Sequence, residues 1–216
     1  MSVFRELFER MYQALGPQHW WPGETPFEVC VGAILTQNTN WQNVERAIEN
    51  LKKHGALAPR VLYEMPLEEL AVLIRPAGYF RVKAKRLKNF VRFLMEKYGG
   101  RLEDLFAQGL DRAREELLSV SGIGPETADS ILLYAGGLPT FVIDAYTKRI
   151  LCRHGLATEE MGYEDLRERF MKHLPHDAEL FNEYHALFVA VGKEFCRPRH
   201  PRCEECPLRD FSPEKC

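Results

Sequence analysis

Two glycines around one apolar residue, within Val120-Ser121-Gly122-Ile123-Gly124-Pro125-Glu126-Thr127-Ala128-Asp129, constrain this chain more than any other feature. Glycine lets the backbone turn tightly and lets a ligand approach closely. A dinucleotide-binding fold places a strand before such glycines. Here residues 112–120 read instead as a helix, with Leu117, Leu118 and Val120 apolar. A second helix opens at Pro125, a residue favoured in a first turn. The unit is helix, hairpin, helix. On the glycines alone, an ordinary helical corner is the commoner explanation. The new helix start nevertheless presents unpaired N–H groups and a positive dipole end, which suits a phosphate. Downstream, Val142-Ile143-Asp144 sets a carboxylate after an apolar, strand-like run too short to be a core element by itself. An anchor for phosphate followed by a carboxylate points to chemistry on a nucleic-acid backbone or sugar.

The remaining pattern predicts an all-α chain. Residues 4–15 form an amphipathic stretch stopped by Gly16-Pro17, and 26–35 is apolar. Helices are predicted at 41–54, 66–74, 81–98, 112–120, 125–135, 144–154, 163–174 and 178–191, with a brief turn at 102–106. The Gly136-Gly137-Leu138-Pro139 stretch is the clearest candidate boundary. With 216 residues the chain can build one large domain or two small ones. A net charge of −2 means that any nucleic-acid contact must rest on local patches. The start, Met1-Ser2-Val3-Phe4-Arg5-Glu6, does not read as a signal peptide, and no apolar run approaches a membrane span. The expectation is a cytoplasmic protein with no membrane partner, nucleoid-associated in a prokaryote.

Cys30 and Cys152 sit in apolar helical patterns and read as buried small hydrophobes. Cys196, Cys203, Cys206 and Cys216 lie together at the end, spaced x6, x2 and x9. Four thiols so close together suit zinc or an iron–sulfur cluster. Arg197 and Arg199, between the first two, would bring positive charge to a phosphate. Arg81, Lys83, Lys85, Arg86 and Lys88 read most simply as a solvated helix face. The neighbouring Gly78-Tyr79-Phe80 raises a second reading, an aromatic wedge for a base stack. Trp20, Trp21 and Trp41 are either core residues or a stacking surface for a flat aromatic ligand.

Taken together, these motifs resemble the helix-hairpin-helix DNA glycosylases of the endonuclease III family, across nearly the whole chain. The resemblance rests on Leu35-Thr36-Gln37-Asn38-Thr39, Gly122-Ile123-Gly124, Asp144 and Cys-x6-Cys-x2-Cys. It implies two helical lobes. One is a six-helix barrel over 26–135 carrying the hairpin. The other joins 1–25 to 136–216, with a cluster loop at 196–216. It implies that Gly122, Gly124 and Thr127 grip a backbone phosphate, with a monovalent cation on the hairpin carbonyls. Asp144 would be the catalytic carboxylate, Gln37 would fill the gap left by a flipped nucleotide, and Tyr79 would wedge the opposite strand. Cys196, Cys203, Cys206 and Cys216 would hold a [4Fe-4S] cluster, although the last interval is x9 where the family usually has x5. The partner would be double-stranded DNA containing a damaged base, bound by a monomer.

Glu126 stands where members that also cut the strand carry an attacking lysine, and a carboxylate cannot form the Schiff base they need. Lys148, one turn beyond Asp144, is the other amine to be considered. Glu126 with Trp20, Trp21 and Trp41 resembles the 3-methyladenine branch, where aromatics form the base pocket. The implied activity is hydrolytic removal of alkylated purines without strand cleavage. The rival readings are a glycosylase for mismatched or oxidised bases, a non-catalytic damage-binding protein and a zinc-tailed DNA-binding module.

Overall fold

A computed structural model describes residues 2–20 and 23–211. Twelve α-helices and no strand occur among the described residues, so the chain is all-α. It divides into two compact units, 1–20 with 139–216, and 21–138. The first helix, α1 (Val3–Leu15), belongs to the discontinuous unit.

The continuous unit holds α2 (Pro26–Leu35), α3 (Trp41–Lys53), α4 (Pro59–Glu64), α5 (Leu67–Leu73), α6 (Phe80–Tyr98), α7 (Leu102–Phe106), α8 (Leu110–Leu118) and α9 (Pro125–Ser130). Helix α2 is the centre. Phe27, Val29, Cys30, Val31, Ile34 and Leu35 are all buried, because the helix is apolar around most of its circumference. It packs against α3, α6 and α9. Thr25 caps its start through a bond from the Glu28 N–H, with Pro26 in the first turn. The short α4 was not evident in the sequence, and 102–106 is a helix rather than a turn. Both are too short, at 6 and 5 residues, to show a period. Pro66 caps α5 from outside instead of entering its first turn. After α9 the chain continues through a π-helical turn, Ile131–Ala135.

In the discontinuous unit α1 packs with α11 (Tyr163–His173) and α12 (Ala178–Glu194), and α10 (Ala145–Arg153) packs on α12. Phe4, Leu7, Phe8 and Met11 face α11 and α12. The core is aromatic. Phe141 stacks on Phe170 at 3.8 Å, and Phe181, Tyr184 and Phe188 meet Phe141 edge-on. The Tyr184 hydroxyl, fully buried, donates to the Phe4 carbonyl at 2.7 Å. The strand-like run Val142-Ile143 is buried but pairs with nothing as a strand. It delivers Asp144 to the start of α10.

Candidate functional site

The hairpin is built by two helices held across a buried ion pair. Arg114 of α8 forks onto Asp129 of α9 at 2.9 and 3.1 Å, with Asp129 fully buried. The turn between them needs one of its glycines for conformation. Gly122 has φ +98, and a Cβ there would collide with the Arg86 side chain. Gly124 has ordinary backbone angles and open space around its Cβ position, so its smallness leaves room for something to approach. Glu126 is exposed in the first turn of α9, and Thr127 is buried.

Gln37 is brought to this hairpin. Its Nε2 donates to the Gly122 carbonyl at 3.1 Å and to Thr127 Oγ1 at 2.9 Å. Its Oε1 accepts from Arg86 of α6. Asn89, one turn further along α6, donates to the Ser121 carbonyl at 3.0 Å. Tyr79 is 71 % exposed at a tip with φ +43, directly before α6. The basic run beside it is a solvated face only in part: Arg81 and Lys85 are exposed, whereas Lys83, Arg86 and Lys88 are not. Lys83 is buried, and its Nζ donates to the Leu35 carbonyl at 2.8 Å and the Ala77 carbonyl at 2.7 Å. Burial, with Arg86 nearby, pushes its pKa down to about 8. Lys88 closes the end of α4 through the carbonyls of Leu62, Tyr63 and Met65. Trp41 is half-buried, its indole lying along α2 at Gly32.

In the other unit Asp144 is the N-cap of α10. Its Oδ1 accepts from the Thr147 N–H at 2.7 Å. Its Oδ2 lies 3.5 Å from His185 Nε2. Burial works against its charge. The His185 charge and hydrogen bond and the Thr147 bonds outweigh that, and hold the carboxyl below its ordinary pKa. Trp20, half-buried, sets its ring 5.5 Å from the His185 ring. Its loop is fastened to α12 where the Gln18 N–H donates to Glu183 at 2.6 Å. Lys148 is committed elsewhere: its Nζ donates to the carbonyls of Glu159 at 2.8 Å and Met161 at 3.0 Å. Trp21 lies outside the described residues. Sequence reasoning missed His185 and the role of Arg86. A histidine inside the apolar run of α12 was the available signal for the first.

The cysteine loop follows α12. Cys196 is buried, Cys203 exposed and Cys206 half-buried, while Cys216 lies outside the described residues. Burial raises the Cys206 thiol, and the nearby Cys196 and Cys203 raise it further. Arg153 of α10 donates to Cys196 Sγ at 3.2 Å, and Arg149 to the Cys196 carbonyl at 2.8 Å. Soft thiolates with a cationic donor on one of them fit an iron–sulfur cluster. Among the described residues, no three such side chains close on a single-ion site. Arg197 and Arg199 are exposed, Arg197 turned back toward the Lys193 carbonyl at 3.3 Å. No described helix is long and apolar enough to cross a membrane.

Comparison with known proteins bears on these features directly. Residues 31–176 match the HhH-GPD superfamily of base excision DNA repair proteins, and residues 196–211 match the iron–sulfur binding domain of endonuclease III. A candidate DNA repair glycosylase of Methanocaldococcus jannaschii is 48% identical over 212 residues, covering 95% of this chain and 96% of that one. Endonuclease III of Thermotoga maritima is 34% identical over 185 residues, 86% and 81% of the two chains. The crystal structure of H. pylori 3-methyladenine DNA glycosylase bound to 1,N6-ethenoadenine superposes with a TM-score of 0.77 at 27% identity, covering 90% of this chain and 98% of that one. The fold and the cysteine loop define an iron–sulfur DNA glycosylase of base excision repair. The chain belongs to the HhH-GPD superfamily.

Proposed function

We propose that this glycosylase is monofunctional and removes alkylated purines, 3-methyladenine foremost, from double-stranded DNA by hydrolysis. The observation that carries the reading is the absence of an attacking amine at the position that needs one. Glu126 occupies the hairpin position of the lysine nucleophile, and Lys148 has its amine spent on two carbonyls. Water is then the nucleophile. Asp144, held ionised by its cap and by His185, stabilises the positive charge that develops on the sugar as the base departs. An N-alkylated purine is already cationic and leaves readily, so the protein need supply little acid catalysis.

Such a base is best gripped by electron-rich rings. Trp20, Trp21 and Trp41 are the residues assigned to its pocket, with cation–π contacts worth about 0.5–2 kcal/mol each. Glu126 complements the charge of the base. The DNA is held through Gly122, Gly124 and Thr127 at the hairpin, with a monovalent cation on the hairpin carbonyls, and through Arg197 and Arg199. Gln37 fills the gap in the stack and Tyr79 wedges the opposite strand. The damaged pair opens most cheaply, which adds selectivity. The cluster, with Cys216 as the remaining ligand, shapes the loop carrying Arg197 and Arg199. The protein acts as a monomer.

A panel of duplexes, each with one lesion, tests the reading. Free base should be released from duplexes bearing 3-methyladenine and not from those bearing a mismatched thymine or an oxidised pyrimidine. Release confined to the latter two would assign the chain to a different specificity, and binding without any release would make it a damage-binding protein.

A further inference from the structure

Tyr79, Lys83, Arg86 and Asn89 fall at helical spacing along one side of α6 and its N-terminal residue. Each meets a different part of the continuous unit. Tyr79 is the exposed tip itself. Lys83 reaches the carbonyl of Leu35, immediately before the loop that carries Gln37, and the carbonyl of Ala77, immediately before the tip. Arg86 reaches the Gln37 side chain, and Asn89 reaches Ser121 in the hairpin turn.

Arg86 has the most informative chemistry of the four. A guanidinium can only donate, so the Gln37 oxygen must face it. That orientation turns the Gln37 amide nitrogen toward the Gly122 carbonyl and Thr127 Oγ1. The aliphatic stem of the same arginine lies over Gly122, where a Cβ could not fit. One side chain thus sets both the direction of the amide and the surface of the turn that receives it. A glutamine left to itself samples several rotamers. One already held in place loses less freedom when it enters a duplex.

We propose that Arg86 is a positioning residue for base opening: it fixes the Gln37 amide against the hairpin, so that Gln37 enters the stack already oriented. This rests on the reading of Gln37 as the residue that fills the vacated space. Arg86 acts through Gln37 and not through the phosphates, so its removal changes the preference for a gapped stack and spares affinity for intact DNA.

The test uses the full-length cluster-loaded protein and two fluorescent duplexes, one intact and one with a tetrahydrofuran abasic analogue. The readout is the ratio of the two dissociation constants, with thermal melting by circular dichroism to verify the fold. Gln37→Ala should cut the preference for the abasic duplex roughly tenfold, the scale of a lost charge-assisted hydrogen bond. Arg86→Met, and Arg86→Gln as a second removal, should cut it by a similar factor. Arg86→Met combined with Gln37→Ala should be no worse than Gln37→Ala alone. Arg86→Lys, which keeps a donor, should recover most of the preference. The proposal is overturned if Arg86→Met leaves the ratio unchanged, if its effect multiplies with that of Gln37→Ala, or if affinity for the intact duplex falls in proportion. A ratio unmoved by Gln37→Ala would instead sink the underlying reading of Gln37, and the proposal with it.

Discussion

Replacing Asp144 by asparagine separates the two tasks this side chain performs. As N-cap, its Oδ1 accepts from Thr147 N–H, and asparagine offers an oxygen to the same donor. The start of α10 should therefore survive, with a stability change within about 1 kcal/mol. The charge does not survive. The Asp144 side chain is 14 % exposed, which places it in a partly shielded setting with an effective dielectric of about 20. A unit positive charge developing about 4 Å away would then lose about 4 kcal/mol of stabilisation. That corresponds to roughly a thousandfold in rate. The assay is single-turnover release of free base from methylated DNA, with duplex affinity and thermal melting measured on the same preparation. The expected result is a collapse of release with binding and melting intact. An Asp144→Asn protein that releases base at more than about a tenth of the wild-type rate would refute the electrostatic reasoning.

Two further perturbations follow from the same geometry. His185 opposes the effect of burial on Asp144. A carboxyl with a lowered folded-state pKa contributes stability that is present above its unfolded value and lost as pH falls through the folded value. His185→Ala should raise the Asp144 pKa, so the acidic fall in both rate and stability should move to higher pH; an unmoved pH–rate profile would break the link. Gly122→Ala puts a side chain at φ +98 and against Arg86, which should cost roughly 1–3 kcal/mol and weaken duplex binding. Denaturant unfolding and fluorescence anisotropy would show this, and wild-type stability would contradict the strained turn.

Much of the fold was legible because its signals are local. The apolar stripe of α1, the Pro26 and Pro125 starts and the break at Gly16 each act within a turn or two, and they place the helices with small errors at the ends. What escaped was of two kinds. Helix α4 has too few turns to show a period. The basic run of α6 looked solvated because sequence cannot show that Lys83 and Lys88 end on carbonyls of other helices. The candidate site divides the same way. Gly122 and Asp144 announce themselves by residue type and position. The pairing of Gln37 with Arg86, and of Asp144 with His185, joins residues more than forty positions apart in sequence, and only tertiary packing brings them together.

The central claim is hydrolysis without a covalent enzyme–DNA link, and borohydride tests it most directly. The wild-type protein, and Lys148→Ala beside it, would be incubated with a 3-methyladenine duplex in the presence of borohydride. The expected result is free base released by both proteins and no protein–DNA adduct from either. A borohydride-stable adduct of the wild-type protein would contradict the claim, and its loss in Lys148→Ala would identify the amine responsible.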